Sequence, residues 1–335
     1  MTHQRLASLG CYDRTPFSSV TSLTFQQLVS LAFYDDRKSL TSCYVQSLLE
    51  NPLAPLETCR FNVQTKWVHI LGSCNGLLCL ADRSCLFRLM NPFTRLASKR
   101  SPPLDVRSPP VDLDVRDDVI TQYGFGYDQV NNKYKVLITY GFPRVTKLYT
   151  FGTKSWTTIQ NFPCDHQVPW RWWDKQGKFV SGSLNWWVPE RNGIISFDLE
   201  KETYGEVLLP LHMGGDHPFN HVLEVLSNRL CLCYFNDIHC VVWLIKKYGN
   251  QQSWKKLMLI PHSKLNMAMP MPIHASCCLR PLCISENGIV FMRTIDLQLV
   301  SYNTKNGSSD DPEINMGRYR RDDMHIYHES LISPP

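Results

Sequence analysis

The stretch from Lys178 to Pro210 is the feature that most constrains the fold, because short apolar segments alternate in it with tight turns. An apolar, aromatic segment at 184–188 leads to the pair Asn192-Gly193. This pair tolerates the positive φ of a hairpin turn. No part of the stretch keeps a helical period over the ~10 residues that a helix usually needs. The pattern therefore predicts three or four short antiparallel strands, a meander.

Similar units recur along the chain. A small isolated meander leaves one apolar face in water, so it must stack on neighbours like itself. Apolar segments followed by a polar turn recur at 86–94, 147–156, 194–204, 241–254 and 297–305. Their spacing of roughly 45 to 60 residues is typical of propeller blades with loop insertions. We predict an all-β, β-propeller-like ring of antiparallel meanders over 61–335, after an irregular N-terminal segment over 1–60. We also expect 325–327 to pair with the first blade and close the ring.

The composition suits a folded protein that binds neither nucleic acid nor membrane. Of the 335 residues, 43% are hydrophobic and 19% are charged, and 35 basic and 30 acidic residues are scattered along the chain. No basic stripe that would follow phosphates stands out. No apolar run approaches the ~20 residues that span a bilayer.

The cysteines and the N-terminus favour the cytoplasm or the nucleus. The 13 cysteines are an odd number, and several lie inside apolar segments, such as LLCL around Cys79. Buried reduced thiols explain this arrangement better than a disulfide framework. The first residues lack the apolar core and cleavage pattern of a signal peptide.

An aromatic loop at 169–173, with the sequence PWRWW, is the candidate partner-binding site. Trp170, Trp172 and Trp173 surround Arg171 in it. Tryptophan and arginine dominate the energy of protein interfaces, and loops at one end of a propeller are where ligands dock. Alternatively, one or two of these rings fold inward and cover a blade edge.

The sequence predicts no metal and no cofactor. Four polar residues in one loop, His212, Asp216, His217 and His221, are of the types that bind zinc, but no helix sets the i, i+4 spacing. Gly124 and Gly126 resemble a phosphate loop only superficially, because a third glycine and a following helix are missing. We predict that both are strand glycines at a close approach.

No catalytic residue is predicted either. Adjacent acids, such as Asp117-Asp118, face opposite ways on a strand and are usually solvated in a loop. No GxSxG, HExxH or CxxC motif occurs in the sequence. Cysteines in apolar strands, Cys74, Cys79, Cys278 and Cys283, are expected to contribute to packing. Because propeller enzymes gather their sites from distant blades, an enzyme is not excluded.

Several ordered motifs resemble those of one family. They are GSCNGLLCL at 72–80, NPFT at 91–94, YGFGYDQVNNKYKVL at 123–137, LYTFGTKSW at 148–156, KFVSGSLNWW at 178–187, IISFDLEKETYGEVLLP at 194–210 and HESLISP at 328–334. Together they look like the plant F-box proteins that carry an F-box associated interaction domain, many of the F-box/kelch-repeat type. The resemblance covers roughly residues 40 to 335. It implies a kelch-type propeller without catalytic activity.

The family resemblance also implies partners. Its members resemble substrate-recognition subunits of SCF-type ubiquitin ligases, in which an F-box docks on a Skp-type adaptor and the associated domain holds a target protein. The helical F-box segment is not found in this sequence, and residues 1–70 resemble the segment that follows it. Either the sequence begins after the box or the protein lacks it, so the adaptor and cullin are expected only if an F-box is present. The alternative function is a propeller enzyme or carbohydrate-binding module with a central polar pocket.

Overall fold

The computed structural model describes most of the chain, and nearly all of its regular structure is β-strand. The described residues are 26–34, 37–50, 59–62, 67–82, 84–104, 120–140, 144–163, 175–211, 221–235, 238–261, 279–293, 299–310 and 318–335. One short α-helix, α1, spans Val45–Glu50. No helix in these ranges has both the length and the apolar character that a membrane span requires.

The strands follow one another along the whole described chain. In chain order they are β1 (Gln26–Tyr34), β2 (Arg37–Tyr44), β3 (Cys59–Asn62), β4 (Trp67–Cys74), β5 (Leu77–Asp82), β6 (Phe87–Met90), β7 (Ile120–Asp128), β8 (Lys133–Tyr140), β9 (Val145–Thr150), β10 (Thr157–Ile159), β11 (Gln176–Val180), β12 (Ser183–Val188), β13 (Gly193–Asp198), β14 (Thr203–Val207), β15 (His221–Leu226), β16 (Arg229–Phe235), β17 (His239–Ile245), β18 (Trp254–Pro261), β19 (Arg280–Ile284), β20 (Ile289–Arg293), β21 (Leu299–Asn303), β22 (Ser309–Asp310) and β23 (Arg318–His328). Single 3₁₀ turns span Pro189–Arg191 and Gln251–Ser253.

These strands form small antiparallel meanders. β4–β6, β15–β18 and β19–β22 each form one sheet. β7–β10 and β11–β14 are two more meanders, joined by a short parallel contact in which Tyr123 and Gly124 pair with Gln176 and Gly177. The last sheet has the order β23-β1-β2-β3 and therefore combines both ends of the described chain.

The meanders are arranged in a ring. β4 contacts β7, β7 contacts β11, β11 contacts β15, β15 contacts β19, β19 contacts β23, and β23 contacts β4. The first strands of the sheets thus form a closed cycle around an axis, with the remaining strands of each sheet outside it. The described residues form a β-propeller of six blades, numbered here in the order β23/β1–β3, β4–β6, β7–β10, β11–β14, β15–β18 and β19–β22. The predicted all-β propeller is confirmed.

The C-terminal strand closes the ring. β23 pairs with β1 from Gln26↔His328 to Phe33↔Arg318, with one bulge. On its other side, the hydroxyl of Ser73 in blade 2 donates a hydrogen bond to Ile326 O at 2.7 Å. Residues 325–328 therefore lie beside blade 2, the first blade recognised in the sequence, but the strand they pair with is β1 rather than a strand of that blade. β23 thus pairs the inner edge of β1 and packs against both β19 and β4, the first strands of the neighbouring blades.

The N-terminal part is more regular than the sequence suggested. β1, β2 and β3 lie in or next to the segment over 1–60 that was expected to be irregular. β1 and β2 form a local hairpin, but the strand on the other side of β1 is β23, almost 300 residues away in sequence, so local patterning does not show that these strands belong to a blade. The proposed division of the chain at residue 60 stays a prediction.

Apolar side chains from adjacent blades pack face to face. Among the described residues, four such cores lie between blades 2 and 6, and their largest fully buried side chains include Phe87, Phe125, Trp186 and Phe197. A fully buried side chain of this size contributes roughly 1.5–3 kcal/mol. These cores between blades therefore contribute to the stability of the ring.

The two glycines of β7 permit close packing between blades 3 and 4. A Cβ at Gly124 would lie 2.7 Å from Leu184 Cδ1, and one at Gly126 would lie 2.7 Å from Leu199 Cδ1. Both are strand glycines, as predicted, although side chains rather than backbones approach them. This position inside a packed sheet leaves no room for a phosphate.

Blade 2 replaces its fourth strand with hydrogen-bonding serines. Ser98 N–H donates to Leu89 O at 2.9 Å, and Ser101 N–H donates to Phe87 O at 2.8 Å. The two serine hydroxyls accept hydrogen bonds from the N–H groups of Leu89 and Phe87. The prolines and alternating charges of 98–120 predict an exposed loop between blades, but Ser98 and Ser101 are buried. Residues 105–119 lie outside the described ranges.

Candidate functional site

The propeller has two unlike faces. Because strands alternate in direction, the connections between blades and those between the second and third strands of each blade lie at one end. We call this end the connection face and the other end the turn face. On the turn face, two-residue hairpin turns such as Asn75-Gly76, Ser181-Gly182 and Ser227-Asn228 join strands directly. Their backbones adopt positive φ, as type I′ hairpins require.

The predicted partner-binding residues belong to a connection between blades. β10 ends at Ile159 and β11 begins at Gln176, both on the connection face. Trp170, Arg171, Trp172 and Trp173 occur between these strands but lie outside the residues that the structure describes. Their role stays a prediction.

Apolar side chains that the sequence interpretation missed are exposed on the connection face. Leu208 and Leu211 follow β14, and Ile238 joins β16 to β17. Their exposed fractions are 58%, 64% and 64%. Leu208 stays in place because its carbonyl accepts a hydrogen bond from Trp254 Nε1 at 2.8 Å. The sequence feature that could have revealed them is an apolar residue just outside a strand, where packing does not require an apolar side chain.

A polar network joins the inner strands near the axis. Glu224 of β15 contacts Lys178 of β11 through Oε2 at 3.1 Å and Arg280 of β19 through Oε1 at 2.9 Å. Lys178 also donates to Gln176 Oε1 at 3.1 Å, and Gln176 Nε2 donates to Leu71 O of β4 at 2.8 Å. The network thus connects four blades.

The charges of this network are mutually satisfied. The side chains of Lys178 and Glu224 are 8% and 13% exposed, so both depend on each other for solvation. A general acid or base needs a carboxyl that can reach a substrate, whereas Glu224 is held on two sides by cations. The arrangement can hold blades 4, 5 and 6 in register. The signal in the sequence was a single charge within an apolar strand, as in VLEVL around Glu224.

The histidine-rich loop contributes one described residue. His221 begins β15 and is buried, with its ring stacked on Trp187 at a centroid distance of 4.4 Å and tilted against Tyr234 at 5.1 Å. His212, Asp216 and His217 lie outside the described residues. Within the described part of the chain, no group of three His, Cys, Asp or Glu side chains has a geometry that could hold a metal ion.

The buried cysteines of the described part contribute to packing. Cys74, Cys79 and Cys283 are buried free thiols, as predicted, and Cys278 lies outside the described ranges. Burial raises the pKa of the Cys74 and Cys79 thiols far above the ordinary range. Such thiols are poor nucleophiles at neutral pH.

Comparison with known proteins agrees with this architecture. The family model of the F-box associated beta propeller domain matches residues 30–331 of this chain. The F-box/kelch-repeat protein At3g23880 of Arabidopsis thaliana is 28% identical over 278 residues, which cover 80% of this chain and 70% of the relative. The F-box protein At3g07870 of the same plant is 30% identical over 296 residues, covering 76% and 68%. The F-box protein CPR1, also of Arabidopsis thaliana, is 26% identical over 248 residues, covering 65% of this chain and 56% of its own length.

A solved structure supports the fold alone. TolB from Acinetobacter baumannii superposes with a TM-score of 0.51 at 9% sequence identity, covering 91% of this chain and 67% of that chain. The cycle of blades, the order of the sequence motifs and the match over 30–331 agree with one another. The chain belongs to the F-box associated beta propeller domain family.

Proposed function

We propose that this chain is the part of an F-box protein that recognises and holds a target protein for ubiquitin transfer by an SCF-type ligase. The family match over 30–331 and the F-box relatives are the observation that carries the proposal. The matched stretch spans 56–70% of the length of these three relatives, so their remaining parts have no counterpart in it. A Skp-type adaptor and a cullin are partners only if an F-box is present.

The connection face is the proposed target-binding surface. A rigid ring held by inter-blade cores can present variable connections without distorting the scaffold. The exposed Leu208, Leu211 and Ile238 supply apolar contact area on this face. Trp170, Trp172 and Trp173, with Arg171 between them, are the proposed anchors, because these residue types contribute most to protein interfaces.

The polar network at the axis favours binding over catalysis as the proposed role. A propeller enzyme or sugar-binding module would place convergent acids at the axis. Glu224 is the acid of the described network, and Lys178 and Arg280 occupy its carboxylate. We propose that the protein works in the cytoplasm or nucleus, and the free thiols of the described cysteines are compatible with either compartment.

Proximity labelling in plant cells tests the proposal. The chain is compared with a variant in which Trp170, Trp172 and Trp173 are alanine. A matched control carries three alanines at exposed apolar residues of the turn face, Phe93, Leu96 and Val130. The proposal predicts that the loop variant loses labelled partners, whereas the control keeps them. Unchanged partners in the loop variant would show that the tryptophans are structural.

A further inference from the structure

The outer edge of blade 5 differs from the outer edges of the other blades. Its outermost strand, β18, has eight residues, whereas β3, β10, β14 and β22 have four, three, five and two. β18 ends the sheet order β15-β16-β17-β18, so no described strand pairs with its outer side. An edge strand of this length presents a row of backbone N–H and C=O groups to any strand that approaches.

Exposed side chains of two kinds lie along β18. Lys255 and Lys256 are exposed near its start, and Leu257 and Leu259 follow with exposed fractions of 36% and 43%. Lys256 lies above the Trp243 ring with Nζ 5.5 Å from the centroid. The strand therefore combines positive charge with apolar surface.

More positive charge gathers at the same end of the blade. Lys246 and Lys247 lie in the turn that precedes β18, and Arg229 begins β16. The neighbouring Lys255 ammonium, with smaller contributions from desolvation and Arg229, lowers the pKa of Lys246. Like charges are thus held close together at this end.

The acidic residues of blade 5 lie away from its outer edge. Within residues 221–261 the acids are Glu224 and Asp237, against the five bases Arg229, Lys246, Lys247, Lys255 and Lys256. Glu224 is bound to Lys178 and Arg280 near the axis. Asp237 belongs to the connection at the opposite end of the strands and is outside the described residues. Bases thus outnumber acids in this blade, and its described acid lies near the axis rather than at the outer edge.

The turn that carries the lysines is pre-organised. Ser253 Oγ donates to Lys247 O at 2.8 Å and accepts from Lys247 N–H at 2.9 Å. Tyr248 OH donates to Asn185 Oδ1 of blade 4 at 2.7 Å, and Gln251 Nε2 donates to Leu209 O at 2.8 Å. A surface held in this way loses little conformational entropy when a partner binds.

We propose that the outer edge of β18 binds an extended acidic segment of a partner protein, which adds to blade 5 as a fifth strand. Backbone hydrogen bonds would supply affinity, Lys247 and Lys255 would select acidic side chains, and Leu257 and Leu259 would contact apolar ones. Edge lysines also prevent pairing between two copies of the same strand. That protective role leaves the two exposed leucines unexplained, whereas an acidic partner strand accounts for both kinds of side chain. This surface is separate from the connection face.

Fluorescence anisotropy with a labelled peptide of alternating glutamate and valine tests the proposal on the full chain. Two comparison peptides carry lysine in place of glutamate, or N-methyl groups on every backbone amide. The proposal predicts saturable binding of the acidic peptide alone. The double variant Lys247→Glu/Lys255→Glu should weaken this binding by about tenfold or more, because it replaces two attractions to the acidic peptide with repulsions. A tenfold loss corresponds to ~1.4 kcal/mol of binding free energy. Lys154→Glu/Lys305→Glu, which changes the net charge equally on turns of blades 3 and 6, should leave it unchanged.

Each of the following results would overturn the proposal. Equal binding of the N-methylated peptide would show that charge alone acts, without strand addition. Tighter binding of a single-stranded oligonucleotide or of phosphatidylserine vesicles than of the acidic peptide would assign the edge to another class of partner. Unaltered binding in Lys247→Glu/Lys255→Glu, or no binding of the acidic peptide, would remove β18 as the site. A second variant, Leu259→Ser, keeps all charges and should weaken binding if the apolar contacts are made.

Discussion

Replacing Asn91 with aspartate isolates the contribution of the C-terminal tail to ring closure. Asn91 is fully buried at the end of β6. Its Oδ1 accepts hydrogen bonds from the N–H groups of Phe93 at 2.9 Å and Thr94 at 3.2 Å. Its Nδ2 donates to Ser330 O at 2.9 Å and Ile332 O at 2.8 Å. One side chain thus shapes a turn of blade 2 and holds the tail that follows β23.

An aspartate at this position can still accept the two hydrogen bonds of the turn, but it cannot donate the two hydrogen bonds to the tail. Asp198 caps the corresponding turn of blade 4, where its Oδ1 accepts from the N–H groups of Glu200 and Lys201 at 3.0 Å each. Two lost hydrogen bonds remove about 1–3 kcal/mol. A buried carboxylate would also repel the carbonyls of Ser330 and Ile332. The free energy of unfolding should therefore fall by about 2–4 kcal/mol in total.

Urea denaturation measures this change, and hydrogen exchange of residues 326–335 locates it. Asn303→Asp is the matched control, because Asn303 Oδ1 accepts from the N–H groups of Lys305 and Asn306 in the turn of blade 6. The control should change stability by less than about 0.5 kcal/mol. If Asn91→Asp is equally neutral and its tail exchanges as slowly as in the unmodified protein, Asn91 does not anchor the tail.

Three further predictions concern buried titratable groups. Lys135 contacts the fully buried carboxylate of Asp128 at 2.9 Å. Lys135→Met would leave this buried charge without its cation, so the free energy of urea unfolding should fall by about 3–5 kcal/mol, and adding Asp128→Asn should recover part of the loss. Burial lowers the pKa of His328, so below the ordinary value of about 6.5 the unfolded chain binds more protons than the folded protein. The free energy of unfolding should therefore fall between pH 7 and pH 5, and His328→Gln should lessen this fall. Burial, with the Asp82 charge second, raises the pKa of Cys85 to about 11, so at pH 8 iodoacetamide should label it far more slowly in the native than in the urea-unfolded protein, as read by peptide mass spectrometry.

Local signals explain why the blades of the central part were predictable. Asn75-Gly76 and Ser181-Gly182 mark hairpin turns whatever the distant environment is, because they supply the positive φ that the turn needs. The apolar segments on either side of each turn then alternate with it at the period of a blade. Both features act over a few residues, so they can be read from the sequence.

Long-range pairing explains what was missed. The sheet that contains β1 is completed by β23 from the far end of the chain, and Ser98 and Ser101 become strand-like only because Leu89 and Phe87 offer them backbone partners. The network around Glu224 connects four blades, and sequence spacing does not show that these strands meet at one axis. The anchors proposed at Trp170, Trp172 and Trp173 were found by composition, and composition does not tell whether a ring is exposed.

Site-specific photocrosslinking in plant cells tests most directly whether the connection face holds a target. A photoreactive amino acid is placed at Leu211 or Ile238 on the connection face, or at Val130 or Lys305 on the turn face; all four residues are exposed. Our account predicts that a common partner is captured from Leu211 and Ile238, and that its abundance rises when the proteasome is inhibited. Capture of that partner only from Val130 and Lys305 would contradict it.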